Sequence, residues 1–256
     1  MSTILITGSS SGFGLATAKL FLHHGWNVIA TMRTPDPSLF PQSDNLTILP
    51  LDVTNSASIE RVAEQIKQVD VLVNNAGFGA PVPVELTPAD TAQKLMSTNV
   101  LGPLALTQAI LPKMRAQQSG VIINVSSSVT TKILPLIGLY RASKAALNTW
   151  TESMAAEVKS FGVRVHLVLP GRSPETKFGE NAREYFGGLG DATYGEMVND
   201  FIKMVSDDNS PVTYADDVAK GIMQLVNNPD SPLYNAAGED AELWLAVAQK
   251  ASPFSC

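Results

Sequence analysis

In this 256-residue chain the side chains best placed for chemistry are Tyr140 and Lys144, four positions apart in Tyr140-Arg141-Ala142-Ser143-Lys144. On a helix that spacing sets both on one face. A phenol titrates at about 10 and exchanges protons poorly at neutral pH, whereas a neighbouring ammonium favours the phenolate and lowers its pKa. The chain has one such pair, and a tyrosine packed on a lysine stem would explain it equally well. Ser127, in Asn124-Val125-Ser126-Ser127-Ser128, lies thirteen residues before Tyr140, and Asn99 stands in a helical stretch further back. Serines and asparagines after strands also serve in turns and helix caps.

A second feature is Thr7-Gly8-Ser9-Ser10-Ser11-Gly12-Phe13-Gly14, which joins a first apolar run to a helical segment. Glycines let backbone approach a ligand closely, and a helix N-terminus offers free N–H groups to a pyrophosphate. The strand–turn–helix setting is the one a dinucleotide site requires. A Gly/Ser-rich turn without a ligand is the plain alternative. The stretch also matches the hydrolase pattern G-x-S-x-G around Ser10. That elbow belongs later in a sheet, however, and only His166, inside an apparent strand, could complete a triad. After the second run the chain reads Ala30-Thr31-Met32-Arg33-Thr34. No carboxylate stands there to take a ribose 2′-OH, and Arg33 suits a 2′-phosphate, so NADP is expected over NAD. Asp52 either meets an adenine amino group or caps the following helix.

These residues need a scaffold that brings strand ends together. Ile4–Ile6, Val28–Ala30, Leu46–Leu49, Val71–Val73, Val121–Val125 and Val163–Leu169 are apolar on successive positions, as in strands buried on both faces. Between them come helical patterns. Residues 56–67 align Ile59, Val62, Ala63 and Ile66, and residues 141–160 align Leu147, Trp150, Met154 and Val158. The expectation is an α/β fold: one doubly wound Rossmann-type parallel sheet with helices on both faces, forming a single domain over 1–256. In such sheets ligands bind at the carboxyl ends of strands, where the glycine turn, Asn74-Asn75-Ala76-Gly77 and Ser127 would gather. Residues 172–212, rich in glycine and aromatics, read as a lid. A helix over Ala215–Val226, a strand over Leu233–Ala236 and a helix over Glu239–Gln249 follow.

Taken together, Thr7-Gly8-x-x-x-Gly12-x-Gly14, Asp52, Asn74-Asn75-Ala76-Gly77, Asn99-x-x-Gly102, Ser127, Tyr140-x-x-x-Lys144 and Pro170-Gly171 resemble the short-chain dehydrogenase/reductase family. The strand end at Arg33 and the aromatic lid are similar to its hydroxysteroid and retinol dehydrogenase-like branch. The resemblance implies an NAD(P)-dependent oxidoreductase acting on a carbonyl or secondary alcohol of a small to medium apolar substrate. Tyr140 would be the general acid/base, Lys144 would lower its pKa, Ser127 would polarise the carbonyl, and Asn99 would hold a relay water. Ser126 and Ser128 remain alternative polarisers. Cofactor contacts are implied for Gly8, Ser10, Ser11, Gly12, Phe13, Gly14, Arg33, Asp52, Val53, Asn75, Ala76, Gly77, Tyr140, Lys144, Pro170 and Gly171. The segment after Pro170-Gly171 departs from the family, with Arg172-Ser173-Pro174-Glu175 before a displaced Thr176, which is left out of the site. The resemblance also implies a homodimer or homotetramer, with the helix near Leu104–Met114 and that over 141–160 pairing across an axis; Leu147, Trp150 and Met154 could equally be core. An NADPH-binding regulator with little catalysis is the alternative, although such relatives usually lose the Tyr or Lys.

Composition narrows the partners. Eighteen Lys+Arg against 24 Asp+Glu give a net charge of −6, with no basic cluster, so neither nucleic acid nor an anionic membrane is expected. Cys256 is the sole cysteine, which leaves no intrachain disulfide and no cysteine-rich metal site. No signal peptide is recognisable at the start, and a cytoplasmic protein that binds no metal is expected.

Overall fold

In a computed structural model, which describes residues 1–207 and 209–251, seven strands form one sheet. They are β1 (Thr3–Thr7), β2 (Asn27–Met32), β3 (Leu46–Pro50), β4 (Val71–Asn74), β5 (Gly120–Val125), β6 (Val163–Pro170) and β7 (Tyr234–Ala237). Their order is β3-β2-β1-β4-β5-β6-β7, and every neighbouring pair is parallel. The order reverses direction between β1 and β4, which opens a crevice at the carboxyl ends of those two strands. The doubly wound expectation is therefore met, and Cys256 lies outside the described residues.

Alternate residues of the continuous apolar strands feed two separate cores. On one face Ile4, Ile6, Val28, Ala30, Val71 and Val73 pack with Ala18 and Phe21 of α1 (Gly12–His23) and Val218, Ile222 and Leu225 of α8 (Ala215–Asn227). On the other, Leu5, Leu72 and Ile122 pack with Ile59, Val62 and Ala63 of α2 (Ser56–Gln65), Leu106, Ile110 and Met114 of α4 (Gly102–Gln117), and Met154 and Val158 of α5 (Gly138–Val158). Leu147 is also buried, so the apolar face read over 141–160 belongs to the interior of the subunit, with Trp150 packed partly against it.

The segment read as a lid carries helices among its described residues. It contains α6 (Phe178–Ala182) and α7 (Gly195–Val205), and Val198 and Phe201 of α7 close a third apolar cluster with Ala80, Leu95, Leu136, Ile137 and Tyr140. Leu95 comes from α3 (Ala89–Met96), which the strand and helix patterns did not single out. Beyond the lid, α9 (Glu239–Ala251) follows β7. Among the described residues no helix is long and apolar enough to cross a membrane, and no cluster of potential metal ligands occurs.

Candidate active site

The turn after β1 is shaped by its glycines and pinned from β4. Gly8 and Gly12 take left-handed φ of +70° and +51°, a region that suits glycine. A Cβ on Gly14 would sit 2.4 Å from the Gly8 carbonyl oxygen, so only glycine allows this turn and α1 to come together. The Asn75 side-chain amide donates to the carbonyls of Thr7 (2.9 Å) and Gly8 (3.2 Å). In return the Thr7 hydroxyl accepts from the backbone amides of Asn75 and Ala76, each at 2.9 Å. The role of Asn75 is thus to fix the turn as much as to border it.

A cavity of about 730 Å³ runs from this turn to Tyr140 and Lys144. Gly8, Ser10, Ser11, Gly12 and Phe13 line one end, Arg33, Asp52 and Val53 a flank, and Asn75, Ala76 and Gly77 the floor. Ser11 is the N-cap of α1, yet its side chain makes no capping hydrogen bond, so first-turn N–H donors face this space without a side-chain acceptor. Steric room, an uncapped helix start and a guanidinium at the strand end all fit a phosphorylated dinucleotide. Asp52 accepts from the amide (2.9 Å) and hydroxyl (2.7 Å) of Thr54, and these bonds, with a smaller pull from Arg33, hold its carboxyl below the usual range. The helix-cap alternative for Asp52 is set aside, because Asn55 accepts from the Ser58 amide and caps α2.

Tyr140 and Lys144 stand on the first turns of α5, and both are buried, at 7% and 4% exposure. The Lys144 Nζ donates to the Val125 carbonyl at the end of β5, at 2.8 Å. Burial pushes its pKa down to about 8 and raises that of Tyr140 to about 12, with a hydrogen bond from Ser127 pulling the phenol the other way. Desolvation is the larger effect at Tyr140, and Ser127 is the group that opposes it. Of the three serines, Ser126 is committed to Asn148 Oδ1 at 2.5 Å, and the Ser128 hydroxyl is buried without a partner. Ser127 is the one that meets Tyr140. Its Oγ also accepts from the Val129 amide (3.3 Å).

Asn99 lies in a π-helical turn, Ser97–Leu101, between α3 and α4, a local widening often found at functional sites. Its Oδ1 accepts from the Phe78 amide (3.1 Å), and its Nδ2 donates to the Phe78 carbonyl (2.9 Å) and to Ser143 Oγ (3.0 Å). With both amide hydrogens bound to protein, the side chain braces the segment after β4 against α5. A Cβ on Gly77 would lie 3.0 Å from Asn99 Oδ1 and 3.5 Å from Lys144 Nζ, which explains glycine at that place.

Pro170 and Gly171 end β6 but do not line the cavity. Gly171 instead abuts Asp240, whose carboxylate would collide with any Cβ there, at 2.1 Å. The chain turns back at Ser173–Thr176, and Thr176, omitted from the expected site, lines the cavity with its side chain 3.2 Å from where a Gly12 Cβ would be. The extra residue between Gly171 and Thr176 is absorbed by this turn. Phe178, Asn181, Glu184 and Tyr185, from the segment read as a lid, and Gln93 and Lys94 of α3 complete the lining; the first four were readable beforehand only as part of that segment, and Gln93 and Lys94 were missed.

Comparison with known proteins identifies the family and the fold. A family profile described as short chain dehydrogenase matches residues 2–185. A 3-ketodihydrosphingosine reductase of Bacteroides thetaiotaomicron is 40% identical over 172 residues; the match covers 66% of this chain and 62% of that relative, less than two thirds of its length. A short-chain dehydrogenase structure from Streptomyces avermitilis superposes with a TM-score of 0.87 at 33% identity, covering 97% of this chain and 92% of the other. A serine dehydrogenase in closed form, complexed with NADP+, gives 0.79 at 25% identity over 93% and 95% of the two chains. The chain belongs to the short-chain dehydrogenase/reductase family of nicotinamide-dependent oxidoreductases.

Proposed function

We propose that the protein is an NADP(H)-dependent oxidoreductase that interconverts a carbonyl and a secondary alcohol on a small to medium apolar substrate. The observation that carries this reading is the single cavity shared by the glycine turn, Arg33, Tyr140 and Lys144. The turn from Gly8 to Gly14 and the start of α1 would hold the pyrophosphate, Arg33 the 2′-phosphate, and Asp52 and Val53 the adenine side. Asn75, Ala76 and Gly77 would border the cofactor, Tyr140 and Lys144 its ribose near the reacting end, and Pro170-Gly171 would deliver Thr176 to it. When bound, the nicotinamide supplies or accepts the hydride.

The protein's share is the proton. A phenol pushed up to about 12 is fully protonated at neutral pH, so Tyr140 Oη is ready to give a proton to a carbonyl oxygen during reduction. Ser127 donates to the same oxygen and polarises it. The phenolate left behind is stabilised by the Lys144 ammonium, which is charged below about pH 8. Oxidation reverses the transfer and requires the phenolate first, so alkaline pH favours it. The apolar cluster of Ala80, Leu136, Ile137 and Phe201 beside Tyr140 supports an apolar substrate. We further propose one catalytic domain with a lid at 172–212, acting as a cytoplasmic homodimer or homotetramer; sedimentation of the purified protein tests the assembly.

The test is NADPH and NADH absorbance followed with ketones, aldehydes and quinones. Turnover with preference for NADPH is expected. A clear preference for NADH would overturn the reading of Arg33.

A further inference from the structure

Phe178 opens α6 and places its ring 5.7 Å from that of Tyr140, centroid to centroid, tilted by 55°. The backbone of Gly79 lies against both rings. A Cβ there would lie 3.0 and 3.1 Å from the Phe178 ring and 4.0 Å from the Tyr140 ring. The missing side chain at Gly79 thus leaves room where the Phe178 ring meets that of the proposed proton donor. It is 40% exposed, faces the same cavity as Tyr140 and Lys144, and is not part of the apolar cluster that anchors the lid. The helix that carries it is only five residues long.

We propose that Phe178 is the specificity-determining wall of the substrate site: a substrate reaches Tyr140 only if it fits beside the Phe178 ring in the slot over Gly79. The inference rests on the oxidoreductase reading above and adds the substrate class. Slender or planar carbonyl compounds, such as open-chain ketones and simple aryl ketones, pass along the ring face. Fused-ring ketones need the volume that the ring occupies.

The experiment measures kcat/KM with NADPH for one straight-chain ketone and one fused-ring ketone, in the wild type, Phe178→Ala, Gly79→Ala and the double variant. Phe178→Ala should raise the fused-ring to straight-chain ratio by about tenfold or more, the range that one misfitted apolar group commands in a pocket. The added methyl of Gly79→Ala should lower kcat/KM while Phe178 is present and be nearly silent once the ring is gone. The acid limb of the alcohol-oxidation pH profile should also move to lower pH in Phe178→Ala, because Tyr140 regains water. Circular dichroism and melting temperature confirm folding, and Phe178→Leu, which keeps apolar bulk in the slot, should fall between the wild type and Phe178→Ala. A ratio within twofold of the wild type in both Phe178 variants, with turnover of the straight-chain ketone retained, overturns the wall and leaves the oxidoreductase reading intact. Absence of wild-type turnover with either cofactor sinks both.

Discussion

Burial acts on Tyr140 and Lys144 in opposite directions: it keeps the phenol protonated and makes the ammonium easier to neutralise. For Lys144 this has a stability consequence. Its folded-state pKa of about 8 lies below the ordinary 10.5, so between those values the unfolded chain binds the extra proton. Stability therefore climbs with pH through that window, and the full destabilisation is present below about pH 8. Lys144→Met should stabilise the fold at neutral pH by about 1–3 kcal/mol and flatten this rise, which denaturant melts at several pH values would detect. The same variant should lose turnover. The Tyr-x-x-x-Lys spacing was legible because it is local. The burial that sets the Tyr140 pKa was not, since Tyr140 packs with Ala80, Leu95, Val198 and Phe201, all remote in sequence.

At the level of elements, the site is held by side chains that bridge strand ends. Asn75 ties the β1 turn to β4 through two hydrogen bonds. Asn75→Ala should cost about 1–3 kcal/mol of stability through unpaired carbonyls, and it should weaken NADPH binding measured by fluorescence titration. Both ends of the lid meet at Asp240. Its carboxylate accepts from the Arg172 amide (2.6 Å) and from the Thr213 hydroxyl (2.7 Å), while Thr213 donates its amide to the Arg172 carbonyl (2.8 Å). Asp240→Asn should loosen this clamp, so that hydrogen exchange quickens across residues 172–212 with little change in the β1–β4 core. The strands and the faces of α2 and α5 were legible from apolar runs and helical spacing, because residues buried on both sides of a sheet have no polar alternation to disguise them. Asp240, Thr213 and Thr176 were not, because their partners are fixed by the return of the chain after β6. Asn99 was found by motif, yet its bracing contacts with Phe78 and Ser143 depend on the π-helical turn.

For the molecule as a whole, the low charged fraction of 16% follows from a sheet covered on both faces, with one apolar core above it and another below. The net charge of −6 offers no general attraction to an anionic cofactor, so binding must rest on local groups: the uncapped start of α1 and Arg33. A ligand that binds only the folded chain stabilises it by about 2.7 kcal/mol at a hundredfold excess over Kd. Calorimetry should accordingly show one cooperative transition that NADPH moves upward, and moves further than NADH at equal concentration. The central claim is that Tyr140 moves the proton in an NADPH-dependent carbonyl reduction. It is tested most directly by NADPH oxidation with one carbonyl substrate in the wild type and Tyr140→Phe, with cofactor affinity measured alongside. The predicted result is a loss of about 10²–10⁴-fold in kcat with NADPH affinity nearly unchanged; turnover by Tyr140→Phe at the full wild-type rate would contradict it.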